Sequence, residues 1–118
     1  MISKNEFFKA IETHQKFEEA IERISNAISG DGRTVFIYDS DWVEAEGKLL
    51  DIFLSSNFTE EGVDTIYWWL YESVDKVIYV TEEADMFREE TEEAVPVRTL
   101  GQLWNFFERE PEVYFKNV

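Results

Sequence analysis

Nine consecutive residues, Val63 to Tyr71, hold two tryptophans, two tyrosines, an isoleucine, a leucine and a valine. A fully buried large aromatic removes roughly 150–250 Å² from water, so this window sets what the chain can fold around. Read as a helix, it puts Val63, Ile66 and Leu70 on one side with Trp69 adjoining, while Trp68 and Tyr71 face another way. Such a helix is apolar on more than one side and is expected between layers rather than on a surface.

The 118 residues amount to one domain, laid out as a long N-terminal helix (3–29), an aromatic-centred body (34–108) and a short tail (109–118). With 44% hydrophobic residues, 16% of the chain aromatic and no cysteine, a core is expected without disulfides, and cysteine nucleophiles and cysteine-held metals are excluded. The start, Met1 to Glu6, carries no signal-peptide pattern, and no apolar run approaches the ~20 residues of a membrane span. The expectation is a soluble cytoplasmic protein.

Ser3 with Glu6 has the form of a capping box. The helix that follows carries Phe7, Ala10, His14, Phe17, Ile21, Ile24 and Ile28 at spacings of three and four, before a stop at Gly30. At about 1.5 Å per residue it is a rod of about 39 Å. It serves either as one long core helix or as a homodimer seam through Phe7, Phe17, Ile21, Ile24 and Ile28. His14, the one histidine, lies on that seam and reads as a packed or hydrogen-bonded residue rather than a catalytic base.

Residues 34–38 read as a strand. Asp41 with Glu44 offers a cap for a helix from Trp42 to about Leu54, with Trp42, Leu49, Leu50, Phe53 and Leu54 inward and Gly47 weakening the pattern. The acids Asp39, Asp41, Glu44 and Glu46 complement the helix dipole there; they do not match a calcium loop, which needs a glycine where Glu44 stands. A second strand is expected at 77–81. Residues 82–93 form either a short helix or a long connection. Val95 to Arg98 suits an edge strand, because Pro96 cannot donate to a ladder. Thr99 caps a last helix from Leu100 to about Glu108, with Leu100, Leu103, Trp104 and Phe107 inward. The tail either docks on the body or meets a partner. The fold expected is α+β, predominantly helical, with about four helices and a small sheet of two or three short strands.

Ile66 to Glu72, Val95 to Phe107 and the opening Phe7 to Glu12 together resemble a group of small proteins encoded by phages and prophages of Gram-positive bacteria. The resemblance implies a bacterial host cell. It implies no activity and no site residue, and it does not extend to residues 82–93.

Charge is the remaining signal. Residues 1–38 hold six acids and five bases, residues 39–93 seventeen acids and three bases, and residues 94–118 three of each. The middle segment thus carries −14 of the total −15. Glu82, Glu83, Asp85, Glu89, Glu90, Glu92 and Glu93 stand against Arg88 alone. If helical, that stretch presents a carboxylate about every 2.6 Å, comparable with one phosphate charge per about 1.7 Å of duplex DNA.

An acidic face can simply keep an aromatic-rich protein soluble. It can also occupy a basic channel built for nucleic acid. It disfavours direct contact with nucleic acid or an anionic membrane. No serine elbow, phosphate-cradling glycine loop or metal motif is present, so no catalytic residue, metal or cofactor is assigned. The reading is a non-enzymatic binding protein for a basic, nucleic-acid-binding partner. In its sharpest form it is a phage inhibitor of a defence enzyme such as a CRISPR effector, acting as a phosphate mimic. Its acidic face would comprise Glu82, Glu83, Asp85, Glu89, Glu90, Glu92, Glu93, Asp39, Asp41, Glu44 and Glu46. The alternatives are an immunity protein against a basic nuclease toxin, or a structural or oligomerisation part of a phage.

Overall fold

The computed structural model describes residues 1–28, 40–80 and 93–118, of which 24–28 and 40–44 are described by backbone alone. Among these residues the fold is α+β: mostly helix, with one small antiparallel sheet. In chain order the elements are α1 (Lys4–Ile28), α2 (Ser40–Asn57), α3 (Glu60–Tyr67) running directly into a π-helical turn (Trp68–Glu72), β1 (Val77–Val80), β2 (Glu93–Pro96), α4 (Leu100–Arg109) and the single turn α5 (Pro111–Tyr114). They group into two compact units, Met1–Asn57 and Phe58–Val118.

In the first unit α1 packs against α2. The Ser3 side chain caps α1: the Glu6 backbone N–H donates to Ser3 Oγ at 3.2 Å, and the Ser3 hydroxyl donates to Glu6 Oε1 at 3.0 Å. Ile2 before the cap and Phe7 one turn inside it are both buried, the two positions of a hydrophobic staple. Phe7 and His14 of the expected seam are buried, while Ala10, Phe17 and Ile21 are half-buried. The side chains of Ile24 and Ile28 lie outside the described residues. Ile11, absent from the seam, is fully buried, four residues on from Phe7 and so on the same side.

The second helix starts at Ser40, which places Asp41 inside the first turn rather than at the cap. Leu50 and Leu54 are buried and Phe53 half-buried, as the spacing predicts. Leu49 is not inward; it is 61% exposed, lying about 100° round the helix from Leu50.

In the second unit Thr59 caps α3, its hydroxyl oxygen accepting from the Gly62 N–H at 3.2 Å. Ile66 and Trp69 are buried, and Val63 and Leu70 are half-buried. The helix does not stay regular: the Ser73 N–H reaches back five residues to the Trp68 carbonyl at 3.0 Å. Nor is it covered on both sides, because Tyr71 remains 53% exposed.

The two strands pair with Val77 opposite Pro96 and Val80 opposite Glu93. Buried Ile78 alternates with exposed Tyr79, as expected of a half-covered strand. The second strand sits two residues earlier than the expected 95–98. Past Pro96 the pairing continues in register for one more bond, the Val97 N–H donating to the Lys76 carbonyl at 2.7 Å, and the Val97 carbonyl accepts from the Trp69 indole at 2.6 Å. Pro96 then falls at the strand end, where its missing donor matters least. The expected strand 34–38 and the expected helix or connection at 82–92 lie outside the described residues.

Thr99 and Gln102 form a full capping box on α4. This helix buries Leu103, Trp104 and Phe107 as expected, and also Phe106; Leu100 is half-buried. The tail docks on its own unit. Thr59 donates to the Tyr114 carbonyl at 3.0 Å, and Phe58 bridges Phe115. Phe115 lies 5.3 Å from the Phe58 ring and 5.1 Å from Trp104, and Tyr114 lies 4.8 Å from Phe107. Ring pairs of this kind add about 0.5–1.5 kcal/mol each beyond the area they bury.

Candidate functional site

The charged face expected from the sequence is only partly in view. Asp39, Glu82, Glu83, Asp85, Glu89, Glu90 and Glu92 lie outside the described residues, and Asp41 and Glu44 are described by backbone alone. Glu46 is half-buried on α2, and Glu93 is exposed at the start of β2. Among the described residues no group of three histidines or acids could hold a metal ion, and no helix is long and apolar enough to cross a membrane.

The described surface offers a different constellation in the second unit. Asp64, Trp68 and Tyr71 recur at helical spacing along α3 and its π turn, with Tyr67 and Glu72 beside them. The Tyr67 and Tyr71 rings stack, 6.1 Å between centroids and 18° from parallel. These five residues line a hollow of about 430 Å³. A second hollow, of about 380 Å³, shares Asp64 and Trp68 and is completed by Thr65, Ile78 and Tyr79. Tyr79 is 55% exposed. Two aromatic-walled hollows thus share one indole and one carboxylate.

The electrostatics of this region are one-sided. Residues 58–80 contain Glu60, Glu61, Asp64, Glu72 and Asp75 against a single base, Lys76. That base is turned inward. Its Nζ sits 4.5 Å from the centre of the Trp69 ring and donates to the Trp69 carbonyl. Burial lowers the Lys76 pKa from its ordinary value. The backbone at Lys76 is left-handed, φ 54°, a conformation that few non-glycine residues adopt. Three features thus converge on Lys76: a cation on an indole, a bond to a backbone carbonyl and a strained turn.

A separate groove of about 320 Å³ lies in the first unit, walled by Ala10, Thr13, His14, Leu49, Leu50 and Phe53 and rimmed by Glu6, Lys9 and Glu46. His14 behaves as a packed core residue. It is 7% exposed, and its Nε2 stands 3.0 Å from Glu18 Oε1, one turn along α1.

Comparison with protein-family models, with curated proteins and with solved structures gave no match. The aromatic face is not apparent from the sequence, because seven large apolar residues in nine argue for burial. The signal that could have found it is the placement of Asp64 and Glu72 on the side of Trp68 and Tyr71, away from Ile66.

Proposed function

We propose that this chain is a non-enzymatic acidic protein that binds a basic protein partner, one that itself handles nucleic acid. In its sharpest form it comes from a phage or prophage and blocks a bacterial defence enzyme, such as a CRISPR effector, with carboxylates taking the place of phosphates. The observation that carries this reading is the placement of charge: net −14 within residues 39–93 and almost none on either side. At physiological salt fields decay over about 8 Å, so local density matters more than total charge. Lysines and arginines of a partner would form charge-assisted hydrogen bonds to such a surface.

The test is a pull-down from bacterial lysate at low and high salt, with identification of what is retained. The expected result is a stoichiometric complex with a basic nucleic-acid-binding protein, weakening steeply as salt rises. Reversal of Glu89, Glu90, Glu92 and Glu93 to lysine abolishes it. Unchanged binding after that reversal removes the acidic stretch from the account. A nuclease toxin as the captured partner selects the immunity version of the same idea.

One observation favours a second reading, a self-associating structural part of a phage. Leu49 and Ile52 stand about 60% exposed on α2, and Phe17 and Ile21 are only half-covered on α1. Sedimentation at low micromolar concentration decides it. A monomer insensitive to Ile21→Glu counts against this class.

A further inference from the structure

The two hollows on the second unit have a composition that selects for one kind of side chain. Their walls are the aromatic rings of Trp68, Tyr67, Tyr71 and Tyr79, and their polar groups include the carboxylates of Asp64 and Glu72. Aromatic faces carry the negative end of a quadrupole and attract cations within about 6 Å. Carboxylates beside them accept N–H donors. We propose that this face grips arginine side chains of a basic protein segment, with guanidinium planes lying on Trp68 and Tyr71 and their N–H forks on Asp64 and Glu72. The inference rests on the proposed function and gives the partner a place to be held.

Four observations support that occupant. First, charge is complementary: the one base of residues 58–80, Lys76, is committed to Trp69 and does not neutralise Asp64 or Glu72. Second, the same unit already seats a cation on an indole, Lys76 on Trp69 at 4.5 Å, so its rings are used this way internally. Third, tyrosine and tryptophan are enriched among the residues that carry binding energy at protein interfaces, and here Tyr71 and Tyr79 are exposed beside a half-buried Trp68. Fourth, the hollows adjoin, sharing Asp64 and Trp68, which suits neighbouring side chains of one chain segment. Arginine is favoured over lysine because a planar guanidinium stacks and forks at once, whereas an ammonium is a strongly hydrated point charge. Single-stranded nucleic acid also stacks on aromatics, but its phosphates would face the carboxylates of Asp64 and Glu72 here.

The experiment titrates the full chain, labelled with nitrogen-15, with a capped peptide of alternating arginine and glycine, and separately with its lysine counterpart. The expected result is movement of the Trp68 indole N–H and the amides of 64–72 and 79, with the Trp104 indole still. The arginine peptide binds several-fold more tightly than the lysine peptide. Trp68→Ala, and independently the nearly isosteric pair Asp64→Asn with Glu72→Gln, each weaken the arginine peptide by about tenfold; the pair keeps the test valid should the tryptophan variant misfold. Equal affinity for the two peptides overturns the proposal, as does a short oligonucleotide that moves the same signals more strongly. Shifts confined to 82–93 overturn it too while leaving the proposed function standing. Failure of both peptides to bind anywhere removes both.

Discussion

Gly62 and Gly47 show how differently one residue type can be used. A Cβ at Gly62 would lie 2.4 Å from the Tyr114 carbonyl oxygen and 3.1 Å from Phe58 Cβ. The tail can dock there only because position 62 has no side chain. Gly62→Ala should therefore destabilise the protein by roughly 1–3 kcal/mol, the usual penalty for overpacking, seen as a lower urea midpoint. A Cβ at Gly47 meets nothing within 4 Å. Gly47→Ala, inside a helix and in open space, should raise the same midpoint by about 0.5–1 kcal/mol. Tyr114 supplies a prediction in pH. Burial, then the charges of Glu110 and Glu61, raise its pKa above the ordinary 10.0. The unfolded chain thus loses this proton first. The contribution is intact below 10.0 and is lost as pH climbs from there through the folded value. Urea midpoints of wild type should fall more steeply across that window than those of Tyr114→Phe.

At the scale of elements, what was legible in the sequence was what is local. Ser3 with Glu6, and Thr99, announce their helices within a few residues; Ser3 Oγ accepts from the Glu6 N–H, and Thr99 forms a full box with Gln102. Thr99→Ala should cost about 1 kcal/mol, the worth of such a cap, measured by thermal or urea unfolding. What was not legible depends on distant partners. The bounds of β2 follow from its pairing, Glu93 to Pro96 against Val77 to Val80, and the Val97 carbonyl beyond it is taken by the Trp69 indole, more than twenty residues upstream. The π turn that reorients Trp68 to Glu72 leaves no pattern in a helical reading, since the apolar spacing there is continuous. The docking of the tail was an open alternative, because Val113, Tyr114 and Phe115 are equally suited to a partner; the pairing with Phe58 and Thr59 settles it.

For the whole molecule, charge and core pull in opposite directions. A net −15 on 118 residues repels itself, and screening over about 3 Å at 1 M salt should relieve this. Added sodium chloride is expected to raise the melting temperature even as it weakens any complex with a basic partner; calorimetry on the free chain checks the first half. A fall in melting temperature with salt would show that the carboxylates are held by attractive pairs instead. The candidate site was legible in part. Its acids could be counted, and the charge asymmetry needs no structure. Its aromatic half could not be placed, because Tyr67, Trp68 and Tyr71 carry as much apolar area as the core residues beside them.

The bridge between Phe58 and Phe115 bears on synthesis. Residue 58 is polymerised nearly sixty residues before its pairing partner. The N-terminal edge of α3 therefore waits, with the Phe58 ring only partly covered by Phe107, until translation has passed the tail. Closing that long loop is the late event, and a premature stop before Pro111 would release a chain with a sticky aromatic end, the kind of intermediate that chaperones handle.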